Sequence, residues 1–139
     1  MPASEHSSTG MTIVANGSVS LDLARSLQSQ LNENDGFCVP PPQQRADATT
    51  SLGVAELIIT LVLARLGKAA ALTALDEIER FLVTKVSQGK LQDDVDCQIV
   101  VEGERPSRTA GRFPFRISNH GALAIKTAFN AIRDVIGKI

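Results

Sequence analysis

The chain has 139 residues, a formal net charge of −1 and an apolar content of 43%. These values fit one domain and exclude a globally disordered chain. The aromatic content is only 4%, with no Trp or Tyr, so the core is predicted to be aliphatic and the side chains that usually anchor interfaces or stack on bases are scarce.

Charge is distributed unevenly along the chain. Residues 1–103 carry seven basic and thirteen acidic side chains, a net of −6, whereas residues 104–139 carry seven basic and two acidic side chains, a net of +5. This asymmetry indicates either two parts of one surface that attract each other or a sister subunit, or a docking patch for an acidic partner.

The N-terminus is polar and lacks a basic, apolar leader, so we expect a cytoplasmic protein. Residues 1–10 are predicted to be a disordered tail, and residues 11–139 a single α+β domain. Met11 is a candidate alternative start. Cys38 and Cys97 lie far apart in the sequence and outside any zinc or thioredoxin-type spacing.

The first third of the domain alternates between short elements. The β-branched run 11–16 (MTIVAN) predicts a strand, and Ser18 or Ser20 is expected to cap the helix that follows Gly17. Residues 37–39 (FCV) predict a second brief strand. Three prolines end that strand and open a polar loop over 40–50.

The stretch 52–86 holds the densest apolar run in the chain. Apolar residues between Leu52 and Leu66 cover every side of a helix, which favours a buried helix. A strand over LIITLVL is the local alternative because that run is short and β-branched. We favour the helix because of the flanking alanines and leucines. Gly67 then breaks the run, and an amphipathic helix ending at Gly89 completes a central helical pair.

The last third predicts a strand over 95–101 (VDCQIVV), a basic turn and another strand over 113–117. Pro114 lacks an N–H, which favours a position at the sheet edge. Ser118 or Asn119 is expected to cap the final helix. The predicted order is therefore β-α-β-α-α-β-β-α, an α+β fold with one small mixed sheet and helices packed on it.

Residues suited to catalysis are few. None of the common nucleotide-binding, hydrolase or zinc-protease motifs is present. A nucleophile would have to be Cys38 or Cys97 with His120, and nothing specifies an orienting partner or an oxyanion donor. The acids of 93–96 lack EF-hand spacing. We therefore predict no catalytic residue, no metal and no cofactor.

The order of segments resembles a known family. GVAELIITLVLARLGKAAALTALDEIERFLV, the following VDCQIVVEG strand and the terminal helix, within about residues 11–137, resemble the small effector-associated constant components of bacterial conflict systems. The resemblance implies a compact accessory protein encoded beside proteases or other effectors of a defence system. It supplies no catalytic residues.

The sequence thus predicts a non-enzymatic adaptor that binds an effector protein, such as a protease, and self-associates as a homo-oligomer. Aliphatic side chains would supply association and arginines orientation. An aspartate in place of Leu61 or Ile58 is expected to disrupt folding or assembly. The candidate interaction residues are Leu57, Ile58, Leu61, Arg105, Arg108, Arg112 and Arg116.

Two alternatives remain. One is a membrane-acting protein that inserts an apolar helix over 52–66, which is less favoured because Glu56 and Arg65 bracket only eight uninterrupted apolar residues. The other is a weak nucleic-acid binder that uses the basic hairpin 105–116. It is less favoured because aromatic side chains and a basic total charge are lacking.

Overall fold

A computed structural model of the chain describes residues 10–33, 38–44, 55–89, 91, 94–103 and 109–138. Within these residues helices pack on one mixed five-stranded sheet, which confirms the predicted α+β class. Residues 1–9 of the tail predicted over 1–10 lie outside the described residues, whereas Gly10 is buried and pairs with Val62, so the prediction is wrong at that residue. The elements in chain order are β1 (Met11–Asn16), α1 (Ser18–Asn32), β2 (Gln43–Gln44), β3 (Ala55–Val62), α2 (Leu63–Leu66), α3 (Lys68–Ser87), β4 (Val95–Glu102), β5 (Thr109–Ile117) and α4 (Ala122–Lys138).

The sheet has the strand order β2-β1-β3-β4-β5. β1 is parallel to β2 and antiparallel to β3, β3 is parallel to β4, and β5 is antiparallel to β4. The two parallel crossovers start from antiparallel strands and step in opposite directions across the sheet. Right-handed crossovers therefore place α1 and α3 on the same face of the sheet.

Side chains alternate between the two faces of every long strand. In β3 the odd-numbered residues are buried and the even-numbered residues are half-buried. The odd-numbered side chains of β1, of β4 and of residues 113–117 also face the helices. The Phe115 ring packs edge-on against Phe129 of α4, with ring centroids 5.6 Å apart. One aliphatic core thus lies between the sheet and α1, α3 and α4.

The first half of the predicted central helical pair is wrong. Residues 55–62 form β3, paired on both sides, rather than a helix. Ile58, Ile59 and Thr60 are β-branched, so their stiff side chains fit a pleated strand better than a helix. Apolar residues on every side also suit a central strand, because its odd-numbered side chains are buried against the helices and its even-numbered ones are half-buried between neighbouring strands.

The second half of that stretch is confirmed as a helix. α3 begins after Gly67, which has φ +85°, and it ends just before Gly89. Arg80 pairs with Glu77 at 3.3 Å, as the three-residue spacing predicts. The predicted pair is therefore reduced to the single-turn α2 and the long α3.

The predicted strand over 37–39 is also wrong where it can be checked. Cys38 and Val39 are not in a strand, and Phe37 lies outside the described residues. The Val39 N–H instead donates to the side-chain oxygen of Asn32 at 2.6 Å, and its carbonyl accepts hydrogen bonds from the side chains of Asn32 and Gln28. Val39 thereby joins the core, and β1 pairs with β2 at 43–44 instead.

The two predicted helix caps differ from the structure. Gly17, with no side-chain hydrogen bond, is the N-cap of α1, and Ser20 points into the core. Asn119 does not cap α4 but forms paired hydrogen bonds with the backbone of Leu91, at 2.9 and 3.1 Å. This contact fastens the segment before β4 to the turn after β5. The strand predictions over 11–16, 95–101 and 113–117 are confirmed, and β5 lies at the edge as Pro114 indicated.

Gly10 makes a close backbone approach at the start of β1. Its carbonyl accepts a hydrogen bond from the Val62 N–H at 2.7 Å, and a Cβ on Gly10 would lie 2.9 Å from the Leu66 nitrogen. Gly67 has nearly the same φ, +85° against +87°, but nothing within 4 Å of the corresponding position. Substitution of Gly67 therefore introduces backbone strain alone, whereas substitution of Gly10 introduces both backbone strain and a steric contact.

We expect Gly67→Ala to lower the free energy of unfolding by about 1–3 kcal/mol through strain alone. Gly10→Ala should lower it by roughly a further 1–3 kcal/mol, because the added methyl group meets fixed backbone. Urea unfolding of both variants measures the difference. Equal losses would show that the contact at Gly10 relaxes without cost.

Candidate interaction surface

The even-numbered residues of β1, β3 and β4, with Arg112, Pro114 and Arg116 of β5, form a face opposite the helices, here called the open face. Strand pairing arranges them in rows across β1, β3, β4 and β5. The rows are Asn16–Glu56–Asp96–Arg116, Val14–Ile58–Gln98–Pro114 and Thr12–Thr60–Val100–Arg112, with Val62 and Glu102 beyond them.

An apolar strip, consisting of Val14, Ile58, Val62 and Val100, runs along the middle of the open face. Ile58 is aligned with Val14, and Val62 lies four residues further along the same strand. Val100 is only 8% exposed although it faces away from the helices. The strip covers three adjacent strands, which corresponds to a width of about 10 Å.

Carboxylates border the apolar strip. Glu56 and Asp96 are aligned at one end of the face, and Glu102 lies at the other end of β4. The Arg116 Nε donates a hydrogen bond to the Asp96 Oδ1 at 3.2 Å from the neighbouring strand. Both of these side chains are about half exposed or more, so their ion pair contributes little to stability. A shallow depression at this end is lined by residues that include Glu56, Asp96, Gln98, Pro114 and Arg116.

The structure divides the predicted interaction residues into three groups. Leu57 and Leu61 are 0% exposed and belong to the core, so they offer no contact surface in the folded chain. Ile58, Arg112 and Arg116 share the open face. Arg105 and Arg108 lie outside the described residues.

Sequence reasoning missed Val14, Val100 and the carboxylates of this face. The signal was period-two alternation within each strand, which assigns even-numbered residues to one side. The run over 55–62 was instead interpreted as a helix, so Glu56 was considered only as a charge that limits the length of the apolar run.

The opposite surface, formed by the helices, carries a structural ion-pair cluster. Arg133 of α4 donates hydrogen bonds to Asp76 and Glu79 of α3, and to Asn130 on its own helix. Burial alone would lower the pKa of the Arg133 guanidinium, but its hydrogen bonds to Glu79 and Asp76 raise the pKa overall. The cluster therefore fastens α4 to α3. Among the described residues, Leu123 is the large apolar side chain left exposed, at 77%.

The two cysteines and His120 do not form a reactive pair in the described structure. Cys97 is buried on the helix-facing side of β4, and burial raises the pKa of its thiol, so it remains protonated at neutral pH. His120 is exposed in the turn before α4, and Cys38 is half-buried beyond α1. A protonated, buried thiol is unsuited to nucleophilic attack.

Within the described ranges, no group of three or more His, Cys, Asp or Glu side chains is arranged to hold a metal ion. Nor is any helix in that part of the chain both long and apolar enough to cross a membrane. Comparison with protein-family models, with curated proteins and with solved structures gave no match to this chain.

Substitutions at Leu61 and Ile58 test whether Leu61 lies in the core and Ile58 on the open face. Leu61→Asp should prevent folding, because an unpaired charge in the core costs about 3–5 kcal/mol, which approaches the whole stability of a small domain. Ile58→Asp should remain folded with a loss of roughly 1 kcal/mol, since its side chain is half-buried and faces outward. Circular dichroism and urea unfolding of both variants measure this. Unfolding of Ile58→Asp as well would mean that the open face is covered in the native protein.

Because the Cys97 thiol is buried, we expect the free energy of unfolding to depend on pH. Because burial raises the folded pKa above the unfolded value, the stabilisation from the protonated thiol is complete below the unfolded pKa and is lost as pH rises above it. Between pH 7.5 and 10 the wild-type chain should lose about 2 kcal/mol more than Cys97→Ala, given an unfolded thiol pKa of about 8.5. Cys38 is present in both proteins and cancels. Equal pH dependence of the two unfolding free energies would refute the assignment.

Proposed function

We propose that this chain is a non-enzymatic adaptor that binds a partner protein through the open face. The observation that carries the proposal is the apolar strip of Val14, Ile58, Val62 and Val100 on the side of the sheet that faces away from the helices. A sheet face exposed to water normally carries polar side chains. A contiguous apolar patch on such a face, bordered by charges, is typical of an interaction site.

Charge on the open face favours a protein partner over a nucleic acid. Arg112 and Arg116 are exposed there, but Arg116 is paired with Asp96. Glu56 and Glu102 add further negative charge to the same face. These carboxylates would repel a phosphate backbone.

The resemblance to effector-associated constant components supports an effector protein, such as a protease, as the partner in a cytoplasmic defence system. An adaptor of this kind acts by shape and charge complementarity. The apolar strip would supply association, and the charged side chains around it would fix orientation.

Site-specific photo-cross-linking in cells of the source organism tests the proposal. A photoreactive amino acid is placed in the full-length chain at Thr60, on the open face, or at Thr73, which is exposed on the outer side of α3. The two positions share residue type and differ in face. We expect a defined adduct with one effector protein from position 60 and none from position 73.

The same cross-linking experiment in the Ile58→Asp background supplies a control for specificity. The adduct from position 60 should disappear there, while the chain stays folded. Equal labelling from both positions, no adduct from either, or an adduct that contains only two copies of this chain would overturn the proposal.

A further inference from the structure

We infer that the occupant of the open face is an amphipathic helix of the partner protein, lying along β3 with basic side chains beside Glu56, Asp96 and Glu102. This inference rests on the proposed function, because it specifies the chemistry of the partner at the same surface. It follows from the size of the face, from its charge pattern and from the edges of the sheet.

The size of the face suits one helix. The four long strands span about 15–19 Å across the sheet, and eight residues of β3 or β4 span about 27 Å. The projected area is therefore about 500 Å², below the roughly 800 Å² per partner that a standard protein interface buries. The apolar strip, about 10 Å wide, matches the diameter of an α-helix.

The charge pattern opposes pairing with a second copy. Stacking two open faces about a two-fold axis parallel to the strands places Glu56 of one copy over Asp96 of the other. An axis across the strands places Asp96 of one copy over Glu102 of the other. In these two arrangements, whose axes pass through the centre of the four long strands so that the faces overlap fully, like charges meet and Arg112 and Arg116 meet no carboxylate.

The edges of the sheet oppose strand addition. β5 forms one edge, and Pro114 in its middle lacks the N–H that an added strand needs. β2 forms the other edge and is only two residues long. In the described part of the chain, an extended peptide therefore meets one edge interrupted by proline and one edge of two residues, whereas a helix needs only the side chains of the face.

The carboxylates determine which helix fits. Glu56, Asp96 and Glu102 project from β3 and β4, the strands beneath and beside the apolar strip. The arginines of the face project from β5, about 10 Å from β3 and close to the Debye length at physiological salt. Arg116 already pairs with Asp96, but the three carboxylates lie on strands nearer to a helix along β3 than the strand of the two arginines, so lysine or arginine beside its apolar side chains is complementary.

Two synthetic peptides of 18 residues test the inference. Both carry leucines at positions i, i+3, i+4 and i+7, and one is flanked by lysine whereas the other is flanked by glutamate. We expect the lysine peptide to bind the full-length chain at least tenfold more tightly, with amide NMR shifts at Ile58 and Val100 and weaker binding at high salt. Equal affinities of the two peptides, or shifts confined to α1 and α3, would overturn the inference.

Two matched single variants test whether the carboxylates of the open face are responsible for the preference for the lysine peptide. Glu102→Gln on the open face should weaken binding of the lysine peptide about two- to fivefold. Glu77→Gln on α3, where Glu77 pairs with Arg80, should leave binding unchanged. Both variants are checked for an unchanged melting temperature, and equal effects of the two would contradict the assignment.

The peptide and cross-linking experiments separate the two proposals. If position 60 cross-links specifically to an effector segment that is not a basic amphipathic helix, the inference fails and the proposed function stands. If position 60 gives no partner, both fail. Concentration-dependent sedimentation that Ile58→Asp abolishes would assign the face to a second copy and overturn the inference.

Discussion

The geometry of the sheet depends on the antiparallel pairing of β1 with β3. Each of these strands starts a crossover to a parallel neighbour, and the two crossovers step away from each other. Because both are right-handed, their helices lie on one side of the sheet, where α4 joins them. Among the described residues, helices thus pack on one face of the sheet, and the opposite face presents the outward side chains of the strands.

The same asymmetry between the two faces explains why a helix was favoured over the alternative of a strand at β3. A strand with one solvated face shows polar residues at every second position, as β5 does with Arg112 and Arg116. In β3 the outward positions include Ile58 and Val62, so the alternation disappears from the sequence. The apolar strip that suits this face for binding is therefore also what made the segment resemble a buried helix. Elements with ordinary periodicity, such as α3 and β1, were predicted almost to their ends.

The candidate interaction surface was predicted only in part, and the reason differs from the one that applies to β3. Arg112 and Arg116 stand out within a basic segment, and Ile58 within an apolar one, so composition alone indicated them. Glu56 and Asp96 are forty residues apart in the sequence and become neighbours only through the parallel register of β3 and β4. Periodicity within one segment carries no information about such long-range pairing. The arginines consequently looked like an isolated basic patch, although one of them neutralises a carboxylate on the adjacent strand.

The charged residues of the open face add little to the stability of the fold, but they influence which molecules can stack on this face. The exposed Arg116–Asp96 pair adds little to stability, and the carboxylates at both ends of β4 make stacking of two copies unfavourable. Pro114 similarly makes strand pairing less favourable at β5, the one long edge strand among the described residues. A half-buried apolar strip on a sheet face would otherwise favour association with other copies. Together these residues oppose face-to-face stacking of two copies, which fits the proposed adaptor role, in which the strip must stay accessible to another protein.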